Sequence, residues 1–226
     1  MVVPVKEAGR GKTRLSEVLE PAARAALVRA MALDTVDAVL AASSVARVVV
    51  VTADLPVAEV AARLAGVRVL PEPPEGPGPA GATGWAALDR AVTAGVAAAR
   101  AEAPGAPVAV LLGDLPGLDP AELDTALVLA AEHPRAVLPD AEGVGTTLLT
   151  VAAGEPFVPQ FGGGSAAAHR ALGHVPVDLP TGSTLRHDVD LPSDLARLLD
   201  HGVGGRTGAL LRRLAPLPGG LGTVPD

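Results

Sequence analysis

Short apolar segments that alternate with helical segments are the feature that most restricts how this chain can fold. Residues 48–51 and 108–112 are continuous apolar runs, as expected for parallel strands that are buried on both faces. Residues 21–42 and 85–100 instead show the apolar periodicity of helices. The alternation predicts an α/β fold in which helices connect the strands of a largely parallel sheet.

The remaining segments extend the same pattern. Predicted strands cover residues 1–5, 48–51, 67–70, 108–112, 136–138 and 147–151. Predicted helices cover residues 21–42, 56–64, 85–100, 120–132 with Asp119 as N-cap, a short segment from Ser165, and 192–199. The Pro- and Gly-rich segment 71–84 is predicted to be a loop, of a length that is usually either functional or disordered. We expect a single domain over residues 1–215 and a flexible tail over residues 216–226.

Composition excludes several classes of function. Aromatic residues make up 1% of the chain, so a stacking platform for single-stranded nucleic acid is not expected. The formal net charge of -7 also disfavours a polyanionic partner. There is no cysteine, which excludes disulfides and thiolate metal sites. The chain starts directly in a strand, and no apolar run approaches the ~20 residues that span a bilayer, so we expect a cytoplasmic protein.

Two acidic segments suggest a metal site. Gly113-Asp114-Leu115-Pro116 follows a buried strand, where a carboxylate faces the crevice in which open α/β sheets bind ligands. In Asp188-Val189-Asp190, both carboxylates would project to the same face of an extended chain. Carboxylate oxygens suit Mg²⁺, provided that the two segments meet. The alternative is that these aspartates only cap turns and helices.

A basic segment follows the first strand, and Lys6, Lys12 and Arg14 are its candidate phosphate contacts. Gly11-Lys12-Thr13 resembles part of a P-loop, but Lys6 stands where that motif requires glycine. The alternative is a solvated basic loop.

Two small-residue turns are candidate anion sites. Thr146 lies in Gly145-Thr146-Thr147, and Gly162 and Ser165 lie in the segment 161–165. Their hydroxyls and backbone N–H groups can hold a phosphate or a carboxylate. The alternative is that the glycines only make turns. His169 is expected to be a hydrogen-bonded packing residue.

The order of these motifs along residues 2–199 resembles the guanylyltransferases that activate a small phosphorylated acid in the biosynthesis of coenzyme F-420. The motifs are Lys12-Thr13-Arg14-Leu15, Gly113-Asp114-Leu115-Pro116, Gly145-Thr146-Thr147, Phe161-Gly162 with Ser165 and His169, and Asp188-Val189-Asp190. The resemblance implies a Rossmann-like three-layer sandwich of the nucleotide-diphosphosugar transferase type. It also implies the transfer of GMP from GTP to phosphoenolpyruvate, with Mg²⁺ as cofactor.

The resemblance also implies roles for individual residues. Asp114 and Asp188 would bind the metal, with Asp190 in support, and Lys6, Lys12 and Arg14 would contact the nucleotide. Lys12, Arg14 and Asp114 would be catalytic. Phosphoenolpyruvate would contact the residues Thr146, Gly162 and Ser165. A homodimer and a transient contact with the downstream transferase of the pathway are compatible with it.

Several alternatives remain open at this point. The acceptor could instead be 2-phospho-L-lactate or 3-phosphoglycerate. These acids differ from phosphoenolpyruvate by a hydroxyl or by a tetrahedral in place of a planar carbon, and one sequence does not distinguish them. An alternative from a different functional class is a scaffold protein that binds nucleotides but has no catalytic activity. Members of the family usually carry Leu-Asn where this chain has Gly84-Trp85, beside the expected guanine pocket. The choice of nucleotide is therefore not fixed by the motifs.

Overall fold

Seven strands form one sheet in the computed structural model, which describes residues 1–10, 12–74, 84–201 and 203–214. The strands are β1 (Val2–Val5), β2 (Val48–Thr52), β3 (Val67–Pro71), β4 (Val108–Leu111), β5 (Arg135–Pro139), β6 (Thr146–Val151) and β7 (Val175–Pro176). Their spatial order is β3-β2-β1-β4-β6-β5-β7. Strand β6 runs antiparallel to both of its neighbours, whereas the other pairs are parallel.

Helices pack on both faces of this sheet. They are α1 (Pro21–Ala41), α2 (Leu55–Ala61), α3 (Gly84–Glu102), α4 (Pro120–Ala130), α5 (Ser165–Ala171), α6 (Pro192–His201) and α7 (Gly205–Arg213). Short 3-10 helices occupy Ala8–Arg10, Thr13–Glu17 and Thr184–Arg186. Within the described ranges, no helix has both the length and the apolar character that crossing a membrane requires.

Alternate side chains of the strands enter two different cores. Val48 and Val50 pack with apolar residues of α1, α2 and α4, whereas Val49 and Val51 pack with α3. All four valines are buried, and burying each one contributes about 1.5–3 kcal/mol. This arrangement explains the continuous apolar runs in the sequence, and it confirms the three-layer α/β fold.

Helix starts follow from local capping. Asp119, the predicted N-cap of α4, accepts a hydrogen bond from Ala121 N at 2.8 Å, and Pro120 occupies the first helical position. Asp54 caps α2 in the same way, through Val57 N at 3.1 Å. The observed boundaries of the predicted elements differ from the expected ones by a few residues.

Some elements were not predicted, and some predictions cannot be compared. The short strand β7 and the helix α7 had no counterpart in the sequence analysis. The predicted tail over residues 216–226, and residues 75–83 of the predicted loop, lie outside the described residues.

The carboxyl edge of the parallel strands brings the candidate site together. A Cβ atom on Gly113 would lie 3.0 Å from the carbonyl oxygen of Pro4 and 3.0 Å from Val5 Cγ2. The chain leaves β4 so close to β1 that a side chain at residue 113 would force its neighbours to shift. Asp114 comes next, at the edge of the sheet.

Candidate active site

Three carboxylates meet at the carboxyl edge of the sheet. Asp114 follows β4, and Asp188 and Asp190 lie on the segment before α6; we call these three residues the acidic cluster. One oxygen from each lies within 4.8 Å of the others. The two segments are joined by a backbone hydrogen bond from Val189 N to Asp114 O, at 3.2 Å.

The second segment is held in place on both sides of Asp190. Val189 is buried, so its side chain anchors the segment in the core. Asp194 Oδ2 accepts hydrogen bonds from the backbone N–H groups of Asp190 and Leu191, at 2.9 and 2.7 Å. Because α6 begins at Pro192, the start of this helix fixes the position of Asp190.

Lys12 bridges two of the three carboxylates of the acidic cluster. Its ammonium group donates hydrogen bonds to Asp114 and to Asp190. The backbone of Lys12 is left-handed, with φ 51° and ψ 48°. Residues other than glycine rarely adopt this conformation. Burial disfavours the ammonium form, but the charges of Asp114 and Asp190 outweigh this effect and raise the pKa of Lys12.

The cluster carries more negative charge than this lysine neutralises. Burial, followed by the charge of Asp114, raises the pKa of Asp188 to about 7. Burial acts in the same direction on Asp190, but Lys12 outweighs it and lowers the pKa of that carboxyl, with help from Arg14 and Lys6. Asp114 Oδ1 is buried and has no hydrogen-bond partner. A divalent cation would neutralise these carboxylates and use this oxygen, so the residues fit a metal site.

Lys6 and Arg14 are exposed residues on either side of Lys12 in the chain. Their charges reach Asp190, which places both side chains near the acidic cluster. The structure therefore brings together the predicted basic residues and the predicted metal ligands.

Asp54 holds the basic segment against the sheet, a role that the sequence analysis missed. Its buried carboxylate accepts hydrogen bonds from Ala8 N at 3.1 Å and from Arg29 Nε at 2.9 Å, besides capping α2. The sequence carried no signal specific to this role, because the tripeptide Asp-Leu-Pro begins alike at Asp54, Asp114, Asp178 and Asp190.

The second candidate region lies on the neighbouring strand, at the same edge. Leu112 N donates to Thr147 O at 3.0 Å, so the start of β6 is level with the end of β4. Asp140 accepts a hydrogen bond from Gly145 N at 2.7 Å, and its charge contributes to the raised pKa of Asp188. The region around Thr146 is therefore adjacent to the acidic cluster.

Thr146 and Ser165 form a pair of buried hydroxyls. Ser165 Oγ lies 3.2 Å from Thr146 Oγ1, and Thr146 Oγ1 lies 3.0 Å from His169 Nδ1. The turn before Ser165 needs glycine, because Gly162 and Gly164 have φ angles of 140° and 80°. The three predicted acid-binding residues, Thr146, Gly162 and Ser165, are thus collected around one turn.

Helix α3 is tied to the same turn by a contact that was not predicted. Asp89 Oδ1 accepts a hydrogen bond from Phe161 N at 3.0 Å, and burial raises the pKa of Asp89. Gly84 is the first residue of α3, and Trp85 follows it. Residues 75–83, which we expected to border the guanine pocket, lie outside the described residues.

A mostly apolar cavity of about 720 Å³ lies at the opposite edge of the sheet. Met1, Arg47, Pro107 and His133, which precede strands, are among its lining residues. It contains none of the acidic, basic or hydroxyl residues described above, so the candidate chemistry belongs to the carboxyl edge.

Comparison with known proteins agrees with this geometry. The family model described as "Guanylyl transferase CofC like" matches residues 1–216. A protein of Streptomyces coelicolor named phosphoenolpyruvate guanylyltransferase is 47% identical over 214 residues, which cover 95% of this chain and 96% of the relative. A protein of the same name from Salinispora arenicola is 44% identical, covering 97% of this chain and 96% of the relative.

Solved structures show the same fold at low sequence identity. A candidate nucleotide-diphospho-sugar transferase from Desulfovibrio desulfuricans G20 superposes with a TM-score of 0.67 at 20% identity, covering 94% of this chain and 93% of the other. A nucleotidyl transferase from Methanothermobacter thermautotroptrophicus gives a TM-score of 0.53 at 22% identity, covering 94% and 98%. At these identities the similarity concerns the fold alone.

Proposed function

The chain belongs to the CofC-like guanylyl transferase family, and we propose that it transfers GMP from GTP to phosphoenolpyruvate. The products are enolpyruvyl-diphospho-5'-guanosine and pyrophosphate. Residues 1–215 act as one guanylyltransferase domain in this proposal, and the reaction belongs to cytoplasmic coenzyme F-420 biosynthesis.

One observation carries the chemistry of this proposal. Three carboxylates and an ammonium group converge at the carboxyl edge of a largely parallel sheet, in a chain whose relatives are named phosphoenolpyruvate guanylyltransferase. This is the edge at which open α/β sheets bind nucleotides. A reaction between two polyanions needs such a concentration of cationic and metal-binding groups.

The reaction is a phosphoryl-type substitution at the α-phosphorus of GTP. A phosphate oxygen of phosphoenolpyruvate attacks this phosphorus, a new phosphorus–oxygen bond forms, and the bond to the β-phosphate breaks as pyrophosphate leaves. The attacking oxygen is already ionised near neutral pH, so the protein need not supply a general base. The residues of the site therefore work by positioning and by charge stabilisation.

Asp114, Asp188 and Asp190 would hold Mg²⁺. The unpartnered Asp114 Oδ1 and the raised pKa of Asp188 support this assignment, because both mark an acidic cluster whose negative charge Lys12 neutralises only in part. When bound, the ion supplies charge neutralisation for the phosphate oxygens that gather at the reacting centre.

The basic segment would bind the triphosphate. The Lys12 ammonium group donates hydrogen bonds to Asp114 and Asp190, beside the carboxylates that would hold the metal. From this position Lys12 would contact the pyrophosphate as it departs. Arg14 and Lys6, which are exposed beside it, would contact the same group.

The acid would bind at the neighbouring turn. Thr146 and Ser165 offer hydroxyls, and Gly162 offers backbone to an incoming ligand. The adjacency of this turn to Asp188, through Asp140 and Gly145, supports a geometry in which the acid's phosphate faces the nucleotide.

The test is pyrophosphate release by purified protein in the presence of Mg²⁺. GTP is combined in parallel with phosphoenolpyruvate, 2-phospho-L-lactate or 3-phosphoglycerate, and phosphoenolpyruvate is combined with GTP, ATP or CTP. A downstream acceptor enzyme is included, because the product is expected to be labile. We expect release with GTP and phosphoenolpyruvate above the other pairs. A preference for another acid would reassign the substrate, and no release from any pair would favour the inactive scaffold.

Because of that lability, we also propose direct transfer of the product to the downstream transferase. Co-purification of the two proteins during turnover tests this proposal, and failure to recover a complex under those conditions would count against it.

A further inference from the structure

We propose that His169 is a positioning residue that makes the hydroxyl pair, Thr146 and Ser165, a net hydrogen-bond donor to an anion. The inference rests on the proposed function for the identity of that anion, the phosphorylated acid. The donor polarity itself follows from the hydrogen bonds of three described side chains.

His169 is completely buried and is contacted at both ring nitrogens. Nε2 accepts a hydrogen bond from the backbone N–H of Gln160 at 3.0 Å, and Nδ1 lies 3.0 Å from Thr146 Oγ1. The rings of Phe161 and His174 pack edge-on against its ring, with centroids at 5.1 and 5.7 Å. The imidazole therefore has one fixed orientation.

The backbone contact decides where the imidazole proton lies. A backbone N–H can only donate, so the nitrogen that faces Gln160 must carry a lone pair. In the neutral ring the proton is then on Nδ1, which faces Thr146. Burial, assisted by the neighbouring His174, lowers the pKa of His169 to about 4, which keeps the ring neutral near pH 7.

The position of this proton sets the direction of the remaining hydrogen bonds. With a proton on Nδ1, Thr146 Oγ1 must accept from His169. Thr146 and Ser165 each carry one hydroxyl hydrogen, and one of these two hydrogens is used in the hydrogen bond between them. The other remains available to a ligand, whichever of the two hydroxyls carries it.

The opposite tautomer would remove that donor. If Nδ1 carried the lone pair, Thr146 would donate to His169 and Ser165 would donate to Thr146. No hydroxyl hydrogen would then remain for a ligand, and the pair would present only lone pairs. Carboxylate and ionised phosphate oxygens accept hydrogen bonds, so only the Nδ1–H tautomer suits an anionic acid.

His169 also shapes the glycine turn through its other nitrogen. Gln160 precedes Phe161 and Gly162, so its hydrogen bond to His169 Nε2 fixes the entry to the turn that leads to Ser165. One buried ring thus connects the two segments that carry the acid-binding residues, β6 and the turn before α5.

Two substitutions separate the two nitrogens. His169→Asn places an amide N–H near the position of Nδ1 and can still donate to Thr146. His169→Gln places its amide near Nε2 and loses the donor to Thr146. His174→Asn is the matched control, because His174 is also buried and touches His169 but bonds to Ala136 O instead.

Steady-state kinetics of pyrophosphate release measures the effect on each substrate. We expect His169→Gln to raise the KM for phosphoenolpyruvate about tenfold or more, as for loss of a hydrogen bond to a charged group, with the KM for GTP changed less than about twofold. His169→Asn should recover most of that loss, and His174→Asn should leave both KM values near wild type. Equal KM values for phosphoenolpyruvate in the Asn and Gln variants, or parallel shifts for GTP, would overturn the inference.

The tautomer can be measured without any activity. In long-range ¹H–¹⁵N correlation spectra of the wild-type protein near pH 7, we expect His169 to be neutral with its proton on Nδ1. A proton on Nε2 would overturn the inference even in an active enzyme. If the wild-type protein released no pyrophosphate from GTP and phosphoenolpyruvate, the proposed function would fail, while this spectrum would still decide the polarity of the hydroxyl pair.

Discussion

At the scale of single residues, Lys12 combines an unfavourable backbone with favourable charges. A left-handed conformation costs a residue with a side chain about 1–2 kcal/mol. The ion pairs with Asp114 and Asp190 offset that cost, because they neutralise carboxylates that are held close together. Lys12 therefore stabilises the acidic cluster and, in the proposed reaction, binds the nucleotide.

Replacing Lys12 by methionine should weaken both roles. Without metal, Lys12→Met leaves three carboxylates without their central counter-charge, so we expect the free energy of unfolding to fall by about 2 kcal/mol. Excess Mg²⁺ should restore part of this loss, whereas turnover should fall at least about a hundredfold. Urea unfolding with EDTA and with Mg²⁺, beside pyrophosphate release, measures these effects. Arg63→Met, at an exposed position away from the acidic cluster, is the control and should change stability by less than about 0.5 kcal/mol.

Asp188→Asn should change the stability of the metal-free protein in the opposite direction. The folded-state pKa of about 7 lies above the ordinary value of 3.8, so the folded protein binds more protons between these values. Its stability therefore falls as the pH rises through this window. Because asparagine does not ionise, the variant escapes this fall in stability. We expect the free energy of unfolding of the metal-free protein at pH 8 to rise by on the order of 2 kcal/mol. A less stable Asp188→Asn variant would contradict the repulsion described for the acidic cluster.

At the scale of elements, the approach of β4 to β1 positions Asp114. The register pairs Val2 with Val110, and the chain leaves β4 at Gly113 with little space beside Pro4 and Val5. The Asp54 carboxylate holds the segment after β1 against the same edge. The positions of Asp114 and of the basic segment therefore both depend on how the central strands β1 and β4 end.

Gly113→Ala tests that dependence. The added methyl group would lie 3.0 Å from the Pro4 carbonyl oxygen, so backbone must shift, and we expect a loss of about 1–3 kcal/mol in stability. Turnover should fall further than stability alone explains, because Asp114 moves with the strand end. Gly105→Ala is the matched control, since a Cβ there meets nothing within 4 Å. Equal behaviour of the two variants in urea unfolding and in turnover would show that the close approach does not position Asp114.

The elements that the sequence predicted are those with a strong local signal. Continuous apolar runs identified β1, β2 and β4, because these strands are buried on both faces. The antiparallel direction of β6 could not be predicted, since a buried strand has the same apolar pattern in either direction. Strand β7 is only two residues long, and α7 has a polar, arginine-rich sequence whose start is tied to Asp34 by long-range hydrogen bonds.

The candidate site was predictable to a similar extent. The motifs in the sequence contain the three carboxylates of the acidic cluster, and the structure brings these carboxylates together with Lys12. The contacts of Asp54 with Ala8 and of Asp89 with Phe161 join residues 46 and 72 positions apart. No local pattern encodes such contacts, so they emerge only from the fold.

At the scale of the whole molecule, the acidic cluster and the hydroxyl pair share one edge of the sheet. Asp188 in the cluster and His169 beside the hydroxyl pair both have shifted pKa values. The folded-state pKa of His169, about 4, lies below its ordinary value of 6.5. The unfolded chain therefore binds more protons in this window, and the contribution of neutral His169 to stability is lost as the pH falls from about 6.5 to about 4.

The difference in stability between wild type and His169→Asn isolates this effect, because the carboxylates are common to both proteins. We expect wild type to lose about 3 kcal/mol more than the variant between pH 7 and pH 4, the size that the shift in pKa implies. Urea unfolding with excess Mg²⁺ at a series of pH values measures it. Parallel pH profiles for the two proteins would show that His169 is not buried as a neutral ring.

The most direct test of the central claim is pyrophosphate release from GTP and phosphoenolpyruvate by Asp114→Asn. The substitution keeps the size of the side chain but removes the charge that pairs with Lys12 and that the proposed metal would need. Asp119→Asn is the control, because Asp119 is an exposed N-cap and asparagine caps helices equally well. We expect Asp114→Asn to remain folded and to lose activity by a factor of at least about 100, with Asp119→Asn near wild type. Near-normal release by a folded Asp114→Asn protein would contradict the assignment of the acidic cluster as the catalytic metal site.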